Sequence, residues 1–231
     1  MAGLFRYPAL ARWAGAWGLA LLSVRASAQT APGWVLKLTP QHVVLSGLWL
    51  EAEQPRAGHP RQTLTLGAQL YAGQAGRPDV PFNPNDKNLD RTVRGAGVFG
   101  QHRFYLGSQT AAGAARPLGF YLGYGPQVQV FRLGFRRREW HEETGLNELP
   151  YLVFGPVPYR ETVLRYGVAG QAGYQAALSR RVLVEVYAGL GLRKSHSWAG
   201  TGESQFRSGP SDYAHQGLYF PAGFKVGVAL R

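Results

Sequence analysis

Cysteine is absent from all 231 residues, which removes a disulfide framework, a thiolate metal site and a lipoprotein anchor on cysteine together. Acids are scarce: 13 aspartates and glutamates stand against 25 lysines and arginines, for a formal charge of +12. Long apolar runs are missing beyond residue 28. No later segment approaches the roughly 20 mostly apolar residues that a transmembrane helix needs, so any membrane insertion of the mature chain must be by strands. Stripes with the 3.6-residue helical period are missing as well. What remains plentiful is glycine, at 31 residues, and aromatic residues, at 13%.

The first 28 residues have the three parts of an export signal. Arg6 and Arg12 lie near the start, an apolar stretch runs from Trp13 to Val24, and Ala26-Ser27-Ala28 precedes Gln29 as a small-residue cleavage site. Cleavage is expected after Ala28, leaving 29–231 as one mature domain. It takes away Arg6, Arg12 and Arg25 and no acid, so a large cationic surplus stays. An exported chain rarely meets nucleic acid, and lipopolysaccharide phosphates are the expected anionic neighbours.

The mature chain is written in a two-residue period. From Val182 to Leu192 the even positions read Val, Val, Val, Ala, Leu, Leu, and the odd positions between them Leu, Glu, Tyr, Gly, Gly. Such a segment is a strand with one oily face and one polar, glycine-rich face. Eight segments have a definable apolar face: Trp34–Thr39, Val43–Glu53, Gln62–Gly73, Val93–Leu106, Pro117–Phe135, Glu161–Leu178, Val182–Leu192 and Leu218–Leu230. The fifth is longer than the roughly 9–11 residues that cross a bilayer, so its far end is expected to project beyond it.

The connections alternate in length. Gln54–Arg61, Gly107–Arg116 and Ser179–Arg180 are short, whereas Gln74–Thr92, Arg136–Arg160 and Lys194–Gly217 are long. Bacterial outer-membrane barrels have short periplasmic turns, long external loops and an even strand count. The pattern therefore predicts an all-β fold, an eight-stranded antiparallel up-and-down transmembrane β-barrel, with a tight external turn at Pro40–His42 joining the first two strands. A soluble exported barrel holding an apolar ligand is the rival, because alternation alone does not say which face points inward. Glycine on the polar face, aromatic ends on the apolar faces and long loops at one end favour the membrane arrangement.

If the polar faces line the interior, Lys37, Glu51, Glu53, Arg103, Glu185 and Lys225 fall toward the periplasmic ends of their strands, three cations and three anions. A lone charge in a narrow lumen is costly, so a luminal ion-pair network is expected, a plug more than a filter; a small pore is the functional alternative. Arg136, Arg137 and Arg138, followed by Glu139-Trp140-His141-Glu142-Glu143, are either a lipopolysaccharide contact or a mixed-charge external hairpin. Ser195-His196-Ser197 with Glu203 suggests a lipid hydrolase, but neighbours on a strand face opposite sides, and a polar strand end is the expected reading. The six histidines lack ligand spacing and no metal is expected. The Arg94–Gly100 run belongs to a strand, not a dinucleotide loop, and Asp79–Asp90, with several oxygen ligands but no EF-hand spacing, reads as an external turn, with bound calcium as the alternative. No catalytic residue and no cofactor are expected.

Leu36-Lys37-Leu38-Thr39-Pro40, Glu51-Ala52-Glu53, Arg103-Phe104-Tyr105-Leu106, Gly119-Phe120-Tyr121-Leu122-Gly123 and Pro221-Ala222-Gly223-Phe224-Lys225-Val226-Gly227 together make the chain resemble the small outer-membrane β-barrel proteins common in Bacteroidota, including a group carried as a domain of unknown function. The resemblance spans most of the mature chain. It implies an outer-membrane barrel and no catalytic residues. A monomer in the cell envelope is expected, with outer-membrane lipid and lipopolysaccharide as neighbours and the barrel-assembly machinery as a partner during insertion. The chain departs from many barrels in ending Ala229-Leu230-Arg231 without a terminal aromatic.

Overall fold

The computed structural model describes residues 33–44, 46–74, 91–106, 117–144, 149–199, 204, 206–207 and 212–230. The expected signal segment 1–28 and the Asp79–Asp90 segment lie outside the described residues. The strands are β1 Val35–Leu38, β2 Gly47–Pro55, β3 Gln62–Gln74, β4 Thr92–Leu106, β5 Gly119–Thr144, β6 Pro150–Ala177, β7 Val182–Ala199, β8 Gly217–Tyr219 and β9 Ala222–Ala229, with a one-turn helix α1, Gln41–Val44, after β1.

Every pairing is antiparallel. Strands β1 to β7 pair in chain order, β7 pairs with β9, and β9 pairs back onto β1, which closes the ring. β8 and β9 hold one continuous register against β7, from Gly191↔Tyr219 to Ala188↔Ala222. They are a single wall strand interrupted at Phe220-Pro221, where proline has no N–H to give to a ladder. The wall is therefore an eight-stranded up-and-down barrel.

Its polarity is inverted relative to a water-soluble barrel. Leu66 is 68% exposed and Phe120 64%, whereas Arg103 is 0% exposed and Lys37, Glu51 and Glu53 are each 2%. The same division holds around the ring: Leu36, Leu50, Leu70, Val98, Leu122, Val168, Leu190 and Val226 all stand outside. Soluble monomers seldom expose contiguous apolar patches beyond a few hundred Å². This belt encircles the molecule.

The glycines of the inner face have a specific use. Gly67 faces Phe99, Gly95 faces Phe131, Gly173 faces Tyr121 and Gly191 faces Tyr219 in the ladder. In each pair ring atoms occupy the space a Cβ on the glycine would take, so that a Cβ at Gly67 would sit 2.2 Å from the Phe99 ring. The absent side chains make room for rings in a narrow interior. Gly67→Ala is expected to lift Phe99 and cost about 1–3 kcal/mol as overpacking, read as a lowered urea midpoint in detergent, while an alanine at Gly58, in the β2–β3 turn with no atom within 4 Å of its Cβ, meets only the strain of φ 75°.

Three differences from the sequence-based expectation have physical causes. The second strand does not begin at Val43; residues 41–44 form α1, and the wall strand starts at Gly47. α1 turns His42 inward to stack on Trp49, with ring centroids 3.6 Å apart. Because β1 stops at Leu38, the upper part of β9 loses its neighbour there, and the Gln41 side chain takes its place. Gln41 Nε2 donates to the Ala222 carbonyl and its Oε1 accepts from the Phe224 N–H, both at 2.9 Å. Second, Arg136–Arg160 is not a loop. β5 and β6 stay paired from Gly119↔Gln175 to Thr144↔Pro150, whereas β4 leaves β5 at Gly134 and β7 leaves β6 at Glu161. Residues 135–144 and 150–160 thus form a two-stranded ribbon, about 33 Å long at the usual rise, standing clear of the ring. Pro156 and Pro158 sit where β6 is an edge strand, the position that tolerates proline. Third, β7 runs on to Ala199, so the connection to β8 is shorter than expected.

Candidate functional site

The chemistry-bearing residues lie in tiers along the interior. At the end where the short turns Arg56–Arg61 and Leu178–Arg181 lie, parity and register bring Lys37 from β1, Glu51 and Glu53 from β2, Arg103 from β4, Glu185 from β7 and Lys225 from β9 into one cluster. Arg103 reaches all three acids, at 3.2 Å to Glu51, 3.2 Å to Glu53 and 3.0 Å to Glu185. Lys37 pairs with Glu53 and Glu185, and Lys225 with Glu51 at 2.7 Å and Glu185 at 3.3 Å. Every acid therefore touches at least two cations, and the charges balance.

Neutral groups complete the shell. Glu53 accepts from Thr63 Oγ1 at 2.6 Å and from the Tyr105 hydroxyl at 2.8 Å. Glu185 accepts from the Tyr121 hydroxyl at 2.5 Å, and Lys37 also donates to Gln175. The Arg103 guanidinium donates to Gln101 at 2.7 Å and lies 4.8 Å over the Tyr121 ring. Buried charges persist when their remaining hydrogen-bonding capacity is met in this way.

Above this lies a tier of amides and phenols. Gln129 donates to Gln69 at 2.5 Å and accepts from Arg165 Nε at 2.6 Å; Gln127 donates to the Tyr219 hydroxyl at 2.6 Å. A cavity of about 40 Å³, lined in part by Trp49, Glu51, Gln127, Tyr219 and Lys225, separates it from the ion pairs and has room for water only. Arg165 and Arg193 lie over Phe131 and Tyr219 at 5.0 and 4.8 Å. Arg165 and Arg193, which strand parity puts on the inner faces of β6 and β7, are buried as Glu161 is, and they add to the luminal charges beyond the six of the network; Glu161 was legible only from its odd position on β6.

The uppermost tier is apolar. Among the described residues between β7 and β8, Phe206, Tyr213 and Ala214 lie in the mouth, buried against Tyr71, Val93, Phe131, Leu133, Phe135 and Val163. Tyr213 meets Phe131 edge-on at 4.9 Å and Phe206 meets Phe135 at 5.7 Å. Ser195 and Ser204 tie the connection to the wall through Ala214 and Glu161.

The arginine run is divided by strand parity. Arg136 and Arg138 share the outer face of the ribbon, and Arg137 lies on the opposite face; all three are exposed. On the Arg137 side the Tyr159 hydroxyl donates to Glu139, and that hydrogen bond to a carboxylate holds the phenol above its ordinary pKa. His196 is exposed and packs on Trp198, while Ser195 points inward to Ala214, so the two do not meet; Glu203 lies outside the described residues. Among the described residues no group of three or more His, Asp or Glu is placed to hold a metal ion.

No known protein family's profile matches the chain, and no curated protein matches it. Among solved structures it is similar to Acinetobacter baumannii CarO, with a TM-score of 0.40 and 13% identity over 87% of this chain and 97% of that one. Acinetobacter baumannii CarO2 follows with a TM-score of 0.34 and 10% identity over 86% of this chain and 96% of that one. At these values no residue role carries over, and the functional reading rests on this chain's own geometry.

Proposed function

We propose that this protein is an exported, non-enzymatic outer-membrane barrel whose interior is occluded, serving the envelope as a structural element or by presenting its ribbon and loops for surface contact. The observation that carries this reading is the inverted polarity: six buried, mutually paired charges inside and a continuous leucine, valine and phenylalanine surface outside. Acyl chains satisfy such an outer surface and water does not. Short turns at one end and the long ribbon at the other support an orientation with the turns in the periplasm and the ribbon outside. In this reading residues 1–28 are the cleaved export signal, and the barrel inserts as a monomer through the assembly machinery.

Occlusion is supported by the three stacked tiers. A path for ions would have to part the network at Arg103, pass the amide tier and displace Phe206 and Tyr213. Planar-bilayer recordings of the purified mature protein are expected to show no discrete conductance steps. Reproducible steps that vanish on heat denaturation would replace occlusion with the small-pore alternative.

A further inference from the structure

The outer face of the wall carries a line of cations where the ring gives way to the ribbon. Arg94 on β4 is directly opposite Arg132 on β5. Arg160 on β6 is opposite Gly134, and Arg136 and Arg138 continue the same face upward. All five are exposed, and none forms an ion pair among the described residues. From 128 to 140 no acid shares their face on β5, whose even positions read Val, Val, Arg, Gly, Arg, Arg, Trp; Glu142 is the first acid on that face, one step beyond Trp140 toward the tip of the ribbon. Glu161 and Glu139 point to the other side, held by Ser204 and Tyr159.

Like charges directly opposite on a ladder, with Cβ atoms about 5 Å apart, repel and destabilise the pair. An anion that bridges them reverses the sign. The line also sits at the edge of the apolar belt, one step above Val130 and Leu164, beside the exposed Trp198 on β7, and interfacial aromatics of this kind mark headgroup depth. From Arg132 to Arg138 it extends about 20 Å at the strand rise, more than one phosphate spans.

Resting on the outer-membrane reading above, we propose that Arg94, Arg132, Arg160, Arg136 and Arg138 form a binding strip for the phosphates of lipopolysaccharide in the outer leaflet, and that Arg137 takes no part. Guanidinium forks bind phosphate oxygens bidentately, and a multiply phosphorylated headgroup matches the strip in charge and length.

The test uses the mature protein in detergent, titrated with lipopolysaccharide, dephosphorylated lipopolysaccharide, phosphatidylglycerol and inorganic phosphate. Folding of every variant is checked by heat-modifiable gel migration. The Arg94→Gln/Arg132→Gln and Arg136→Gln/Arg138→Gln pairs are expected to weaken lipopolysaccharide binding at least about tenfold each, the loss of charge-assisted hydrogen bonds. Arg137→Gln is expected to bind as the parent does, and the other three ligands to bind poorly. Equal loss in Arg137→Gln, or equal binding of dephosphorylated lipopolysaccharide or phosphatidylglycerol, overturns the strip. A parent that folds as a monomer without detergent overturns the membrane reading itself, a separate outcome.

Discussion

Arg103→Ala is expected to destabilise the barrel by about 3–5 kcal/mol, the usual consequence of removing one partner from a buried charge cluster. Among the described residues Arg103 alone touches all three acids of the network, and it is fully buried. Without it Glu51, Glu53 and Glu185 share Lys37 and Lys225 alone, leaving one net negative charge out of water. The Tyr121 ring also loses the guanidinium that lies over it. Urea unfolding in detergent, followed by tryptophan fluorescence and gel migration, measures the loss. Arg103→Met combined with Glu53→Gln restores charge balance and is expected to recover a substantial part of the stability. A loss below about 1 kcal/mol for Arg103→Ala, the range of solvent-exposed pairs, would mean that water reaches the cluster and that the interior is open.

Leu66→Arg is the second large effect, and its sign separates the two barrel arrangements. Leu66 is 68% exposed on the outer wall, opposite Ala52 and Gly100 in the flanking strands, well inside the apolar belt. For a barrel in lipid, an arginine near mid-depth costs about 2–4 kcal/mol. In water the same exchange at an exposed position is within about 0.5 kcal/mol. Folding equilibria into phospholipid vesicles are expected to show the larger loss, with detergent-solubilised folding less affected. An unchanged equilibrium in vesicles would contradict the outward placement of this face.

Much of this architecture was legible in the chain because a barrel wall obeys a strict two-residue alternation. The inward parity of Lys37, Glu51, Glu53, Arg103, Glu185 and Lys225 follows from counting along each strand. Their partners Tyr105, Tyr121, Thr63 and Gln175 stand on the same faces but were not singled out, because a neutral side chain signals nothing until a charge lies beside it. The length of the ribbon was not legible for a related reason. Alternation shows in sequence only where one face must be apolar, and once β5 and β6 leave the ring both faces meet water, so Arg136 to Glu143 alternate in geometry but not in hydropathy. The α1 turn was hidden because Val43 and Val44 suit a strand as readily as a helix.

Local order alone settled the two-faced alternation of the wall strands and their antiparallel order, since each depends only on residues near one another in the chain. Pairing across the ring decided the rest: Lys37 meets Glu185 and Gln175 from far along the chain, Phe206 and Tyr213 return to stop the mouth, and Arg94 comes to face Arg132. Those encounters depend on ladder register, a property of two strands together, which neither strand carries by itself.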